Sequence, residues 1–233
     1  QEPATKALPT AVKQWLTYSG VIGHPGQQTV HIRQEGRMRT SKSGNWMPFT
    51  AEQWFNTTQP GFIWKADVKA FPGIYLKGRD KFLDGKGHML IKLLSWFPVA
   101  DSKGETIDQG TMVRYLGEMA WFPSAALQDY ISWEGVNDTT AKATMKYKGV
   151  AAEGTFYFSE RGALQRFEAQ RYYDQPSGAT LEKWVIKVQP NAYRTFEHLR
   201  IPTKFTVTWQ LEGGEFEWLN LTITDVAYNE THS

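Results

Sequence analysis

Cysteine is absent from the 233 residues, which excludes disulfides and every thiolate metal site. It leaves the compartment open, because many periplasmic proteins also lack cysteine. A dominant charge sign is missing too. The 26 Lys and Arg residues against 24 Asp and Glu leave a formal net charge of +2, and the basic residues are spread along the chain, so a nucleic-acid partner is not expected. No apolar run approaches the ~18 residues of a membrane span, and no membrane-spanning helix is expected. Signatures of catalysis are sparse. His24, His31, His88 and His198 stand apart, without HExxH or His-x-His spacing, so neither a metal nor a cofactor is expected. No GxSxG elbow precedes a helix, and Gly85-Lys86-Gly87 is a turn with no phosphate-loop pattern around it.

What is present describes a globular chain. With 41% hydrophobic and 21% charged residues, residues 1–233 suffice to bury a sizeable core, and one domain is expected. The chain starts at Gln1 and runs through a polar tail, 1–8, as a chain would after removal of a signal peptide or an anchor. An expression boundary would look the same. A periplasmic or secreted location is the expectation. Asn56, Asn137, Asn220 and Asn229 stand in N-x-T sequons, which are glycan sites in a eukaryotic secreted protein and Thr-rich strand ends in a bacterial one.

Two segments have helical spacing. Leu8, Val12, Trp15 and Leu16 form an apolar stripe over 9–19, ended by Ser19-Gly20. In the middle of the chain Met112, Leu116, Met119 and Ala120 recur at helical intervals. Asp108 is a plausible N-cap there and Pro123 a stop, so the spacing predicts a helix from about Gln109 to Trp121, within 109–122. Arg114 and Glu118 then share one face. Elsewhere the period is two. Val30, Ile32 and Met38 alternate with His31, Arg33, Glu35, Arg37 and Arg39, and Phe62, Trp64, Ala66, Val68 and Ala70 fall on one face. Asp84-Gly85 is a hairpin signal. The run from Gly87 to Ala100 is apolar on both faces, as in a strand buried on both sides or lining a hydrophobic concavity. About five strands precede the central helix and the rest follow it. The short breaks make sequential strands antiparallel neighbours, about eleven in all. A sheet of that size must curl, split or close, and an open or half barrel covered by helices fits best: a mainly β fold with two or three helices.

Long motifs then resemble a known family. GRMRT, W.PFTAEQ, PGFIWKADV, GRD.F.DG.GHM, RYLGEMAWFPSA, ISWEGVNDTTAKAT, F.AQRYYD and IPT…VTWQLEGGEF resemble an uncharacterised bacterial family of unknown function, over nearly the whole chain. Strand count and helix placement are also similar to the lipoprotein-carrier (Lol-type) open barrels, in which a curved sheet covered by helices encloses an apolar cavity. The first resemblance implies no particular activity; the second implies a fold.

Ten Trp, ten Tyr and thirteen Phe are an unusual load of aromatics. They serve either as core filling or as the lining of a cavity for an apolar ligand. Charged residues are embedded among them: Arg37, Arg39, Arg79, Asp80, Arg114, Glu118, Glu168, Arg171 and Arg200. If several converge, they either lock the helix onto the sheet or form a polar head-group site at the mouth of an apolar cavity. Arg37, Arg79, Asp80, Arg114, Glu118, Trp121 and Arg171 are the candidate ligand-binding residues. The expected function is a non-catalytic extracytoplasmic protein that binds a hydrophobic or amphipathic small molecule or lipid. The alternatives are a hydrolase using Glu118, Asp80 or His88, and a carbohydrate-binding module using exposed Trp.

Overall fold

The structure, a computed structural model, describes residues 8–93, 97–175 and 177–229. Of the polar tail 1–8, all but Leu8 lies outside the described residues, as does Trp96. Helix α1 (Thr10–Tyr18) opens the chain, and six strands follow: β1 (Thr29–Met38), β2 (Met47–Asn56), β3 (Gly61–Phe71), β4 (Ile74–Leu83), β5 (Lys86–Leu93) and β6 (Phe97–Ser102). Helix α2 (Glu105–Glu118) comes next and continues through 3-10 turns at Met119–Trp121 and Pro123–Leu127. The second half holds β7 (Ile131–Asn137), β8 (Thr140–Tyr147), β9 (Val150–Phe158), β10 (Leu164–Tyr173), β11 (Thr180–Val188), β12 (Tyr193–Phe196), β13 (Leu199–Pro202), β14 (Lys204–Leu211) and β15 (Gly214–Tyr228).

Thirteen of these strands form one antiparallel sheet, in the order β6-β5-β4-β3-β2-β1-β15-β14-β11-β10-β9-β8-β7. The fold is the expected mainly β, curved half barrel, with thirteen strands where about eleven were read. The first half of the chain meanders outward from the middle of the sheet to β6 and the second half inward from β7 back to the middle, where β1 pairs with β15 from Val30 opposite Tyr228 to Met38 opposite Leu219. The hairpins follow their turn residues. Asp84 and Gly85, at φ 52° and 75°, and Lys148 and Gly149, at φ 50° and 81°, have the paired left-handed conformations of a type I′ turn. Three of the sequon asparagines act as strand-end caps: the Asn56 side chain accepts from the Thr58 and Gln59 amides, Asn137 from Thr139, and Asn229 from Gln28.

The free edges of the sheet are β6 and β7, and the chain crosses from one to the other through α2. The helix therefore lies in the concavity, against β4 and β5 on one side and β9 and β10 on the other. It is buried all round rather than along one stripe: from Gly110 to Ala126 every residue except Arg114 is buried. Its start differs from the expectation. The N-cap is Gly104, and Asp108 sits in the first turn, where its carboxylate accepts from the Gly87 amide at 2.7 Å and from Lys86 Nζ at 2.9 Å. Those partners take Asp108 away from the cap and tie the helix start to the β5 hairpin.

The run 87–100 is two strands, β5 and the edge strand β6, and it is not buried on both sides: after Gly87 the described residues are at most half-buried, and Phe97 is 68% exposed. The other expectation, a strand lining a concavity, holds for Met89, Leu90 and Ile91. The hairpin β12–β13 was missed, since no Gly, Asn or Pro marks its turn at Glu197-His198.

Gly117 sets how closely the helix approaches. A Cβ there would lie 2.8 Å from both Ile186 Cδ1 and Phe167 Cδ1. Gly117→Val is expected to cost about 1–3 kcal/mol through this overlap. Urea denaturation reads it as a lowered midpoint; an unchanged midpoint would mean that the helix has room to move away. Below the helix the core is aromatic, with Phe122 4.5 Å from Phe55 and 5.3 Å from Tyr115, ring centre to ring centre.

Candidate functional site: an apolar cavity under the central helix

Between α2 and the concave face lies a cavity of about 260 Å³. Its wall is mostly apolar, with Met47, Phe49 and Leu76 from the first half of the sheet and Ile186, Val207 and Leu221 from the second. The alternation of the strands places these side chains inward. A cavity of this size lies just below the ordinary range for small-molecule sites and suits a single-chain ligand.

One polar network is set into that wall. Arg114 Nε donates to Glu118 Oε1 at 2.7 Å, its Nη1 to Asp80 Oδ2 at 2.9 Å, and its Nη2 to Gln53 Oε1 at 3.4 Å. Gln53 Nε2 donates to Glu118 Oε2 at 2.7 Å, Gln34 Nε2 to Gln53 Oε1 at 2.9 Å, and Trp64 Nε1 to Gln34 Oε1 at 3.0 Å. The guanidinium also lies 5.0 Å from the ring centres of Phe62 and Trp64. Burial pushes the Glu118 carboxyl above its ordinary value, against the opposing pull of Arg114 and Gln53. Burial alone would lower Arg114, but Glu118 and Asp80 more than offset this and hold it above its ordinary value.

Arg171 stands apart from the network. Its Nε donates to the Gly110 carbonyl at 3.0 Å, and its guanidinium lies 4.8 Å from the Trp184 ring centre and 5.7 Å from that of Trp209. Burial pushes it down to about 10, so it remains a cation at neutral pH. It borders the cavity and also a second depression of about 240 Å³, between the first turns of α2 and β10.

Asp80, Arg114, Glu118, Trp121 and Arg171 thus border one cavity, and Arg79 touches its wall, but the Arg79 guanidinium lies on the other face, as does Arg37. Arg37 covers the Trp46 ring at 4.7 Å, and Arg79 Nη2 lies 3.2 Å from His88 Nδ1, whose Nε2 is 2.7 Å from Asp101 Oδ1. That outer face carries a larger, open groove of about 690 Å³, lined by Arg33, Glu52, Lys65, Asp67, Lys77 and Arg79. Lys77 and Asp67 pair across it, but its walls are polar and open, so we place the site in the apolar cavity instead. Glu168 and Arg200 bind elsewhere: Glu168 with Arg166 and Lys183, Arg200 over Tyr18. Sequence reasoning missed Gln34, Gln53, Trp184 and Trp218, all near or lining the cavity. The two glutamines left a signal, since each occupies an inward position in an otherwise apolar alternation: Val30, Ile32, Gln34 and Phe49, Ala51, Gln53, Phe55.

The exposed apolar side chains Phe71, Ile74, Tyr75, Phe97, Tyr172 and Leu181 share one end of the sheet, the end where Met38, Met47 and Leu76 carry the cavity wall outward.

A family profile spans this whole arrangement, matching residues 6–228. The chain belongs to DUF6920, a family of unknown function. No curated protein matches it. Among solved structures, the DUF6920 chain is similar to a domain provisionally assigned as an outer membrane lipoprotein-sorting protein from Vibrio parahaemolyticus. The identity is 9% and the TM-score 0.52, over 99% of this chain and 95% of that one. It is also similar to a DUF1329 family protein from Desulfovibrio piger, at 10% identity and a TM-score of 0.48, over 97% and 96%. At such identities the likeness to the Vibrio domain is one of fold. Among the described residues, no helix of the DUF6920 chain is long and apolar enough to cross a membrane.

Proposed function

We propose that the protein is a non-catalytic, extracytoplasmic binding protein that holds one hydrophobic or amphipathic small molecule or lipid in the cavity under α2. The observation that carries this reading is the cavity itself: apolar walls, enclosed by a helix that the sheet grips from two sides, with one ionic network set into them. The exposed apolar side chains Phe71, Ile74 and Phe97, at the end of the sheet where the cavity wall reaches outward, support it. The extracytoplasmic placement draws on the role assigned to the Vibrio neighbour, outer membrane lipoprotein sorting. The hydrolase alternative has less support. Asp80 and Glu118 are bound to the same guanidinium, and His88 faces the opposite side of the sheet. For a carbohydrate module, Trp54 on the outer face is already covered by His31 at 4.9 Å and Lys65 at 5.4 Å.

Titration with the neutral apolar fluorophore N-phenyl-1-naphthylamine tests the proposal. Saturable binding near one site per chain is expected, and Val207→Trp, which fills the cavity, should reduce it about tenfold or more while circular dichroism stays native. Ile186→Phe serves as a second filling variant if the first is unstable. Equal binding by wild type and a folded filling variant would refute the cavity as the site.

A further inference from the structure

We infer that the ligand of this cavity carries an anionic head group, carboxylate or phosphate, and that Arg171 receives it. The inference rests on the binding proposal above and adds the chemical class of the ligand. Arg114 is already bound to two carboxylates and a glutamine, whereas Arg171 makes one hydrogen bond, through Nε, to the Gly110 carbonyl. Among the described residues no carboxylate lies within 4.0 Å of it, and its two Nη groups have no partner. Arg171 is partly buried, and its nearest opposing charges, Asp80 and Glu118, act on it from beyond ion-pair distance, so its Nη groups remain open to a ligand that brings a counter-charge into contact.

The neighbouring groups are donors as well. Trp184 Nε1 and Trp218 Nε1 are buried without a hydrogen-bond partner, and both rings line the cavity. Arg171 and Trp218 border both the cavity and the second depression, so they stand where the two spaces meet. The donors open to a ligand at that junction are the Nη groups of Arg171; Asp80 Oδ1 is buried beside them, its partner oxygen already paired with Arg114, and the Asp174 carboxylate lines the second depression. A ligand that brings several acceptor oxygens and negative charge suits the open Nη groups better than an alcohol, which offers one neutral acceptor oxygen, or a hydrocarbon, which offers none.

A structural reading competes: Arg171 could be a strut holding Gly110 of α2 against Trp184. Three single-chain probes separate the two: decanoic acid, decyl phosphate and decanol, titrated by calorimetry into the delipidated protein. We expect the wild type to bind at least one of the two anions about tenfold tighter than decanol. Arg171→Gln should remove that preference while keeping decanol affinity, and Arg171→Lys should restore part of it. A wild type without preference for either anion would overturn the inference and leave the cavity proposal standing; so would a preference that survives Arg171→Gln. Binding of none of the three probes would instead overturn the cavity proposal itself. If Arg171→Gln fails to fold, carbon-13 NMR of carboxyl-labelled decanoic acid on the wild type decides. A bound carboxyl titrating below its free value supports the inference, and one titrating above it contradicts the contact.

Discussion

Leu116→Asp is expected to abolish folding. Leu116 is 0% exposed, in the last turns of a helix that both halves of the sheet must contact. The substitution removes a buried side chain worth about 2–5 kcal/mol and adds a carboxylate in an apolar setting. Its neighbours Met112, Val113 and Met119 are themselves fully buried and offer no cation. Against a total stability of roughly 5–15 kcal/mol, the sum leaves no margin. Thermal scans should show no cooperative transition. A variant that melts near the wild-type temperature would mean that the helix does not organise the sheet.

Arg114→Met is expected to cost about 3–5 kcal/mol at neutral pH while leaving the helix in place. The Met side chain keeps much of the apolar packing of the arginine stem, but Asp80 and Glu118 lose the cation that both accept from. The pH dependence has a definite sign. The Glu118 carboxyl already lies above its ordinary value of 4.5 in the folded protein. Removing Arg114, which pulls it down, raises it further. A carboxyl whose folded value is raised contributes stability that is full below the unfolded value and is lost as pH rises through the folded one. The deficit of the variant should therefore be small near pH 4, on the order of the unfolded value, and grow toward neutrality. Urea denaturation at a series of pH values reads this directly. A deficit that stayed constant with pH would mean that the two carboxylates do not depend on Arg114.

Much of this architecture is legible in the sequence, and the limits have physical causes. Helical spacing gives α2 and the Arg114–Glu118 bridge, because residues four apart on a helix must meet. Strand alternation gives most of the inward faces, and short turns give the antiparallel order within each half. The pairing of β1 with β15 is not local, and neither is the contact of Asp80 with Arg114, 34 residues away. Only the sheet register brings those groups together. The grouping of Arg79 with Asp80 is a different matter. Adjacent strand residues point to opposite faces, so period two alone sends Arg79 outward when Asp80 points in, and it separates Arg37 from Met38 in the same way. Of the two readings of the run from Gly87 to Ala100, lining a concavity holds for Met89, Leu90 and Ile91, and burial on both sides fails because β6 is an edge strand, which leaves such residues exposed. Asp108 illustrates a third limit: a residue suited to capping was recruited by a hairpin that sequence spacing could not place beside it.

The central claim is that the cavity under α2 holds a single-chain amphiphile. Mass spectrometry of organic extracts, from wild type and the Val207→Trp variant purified side by side without detergent, tests it most directly. The account predicts an acidic single-chain lipid at close to one per chain in the wild type and a loss of most of it in the folded variant. Extracts without any amphiphile, from a wild-type protein that also takes up none after delipidation, would contradict it.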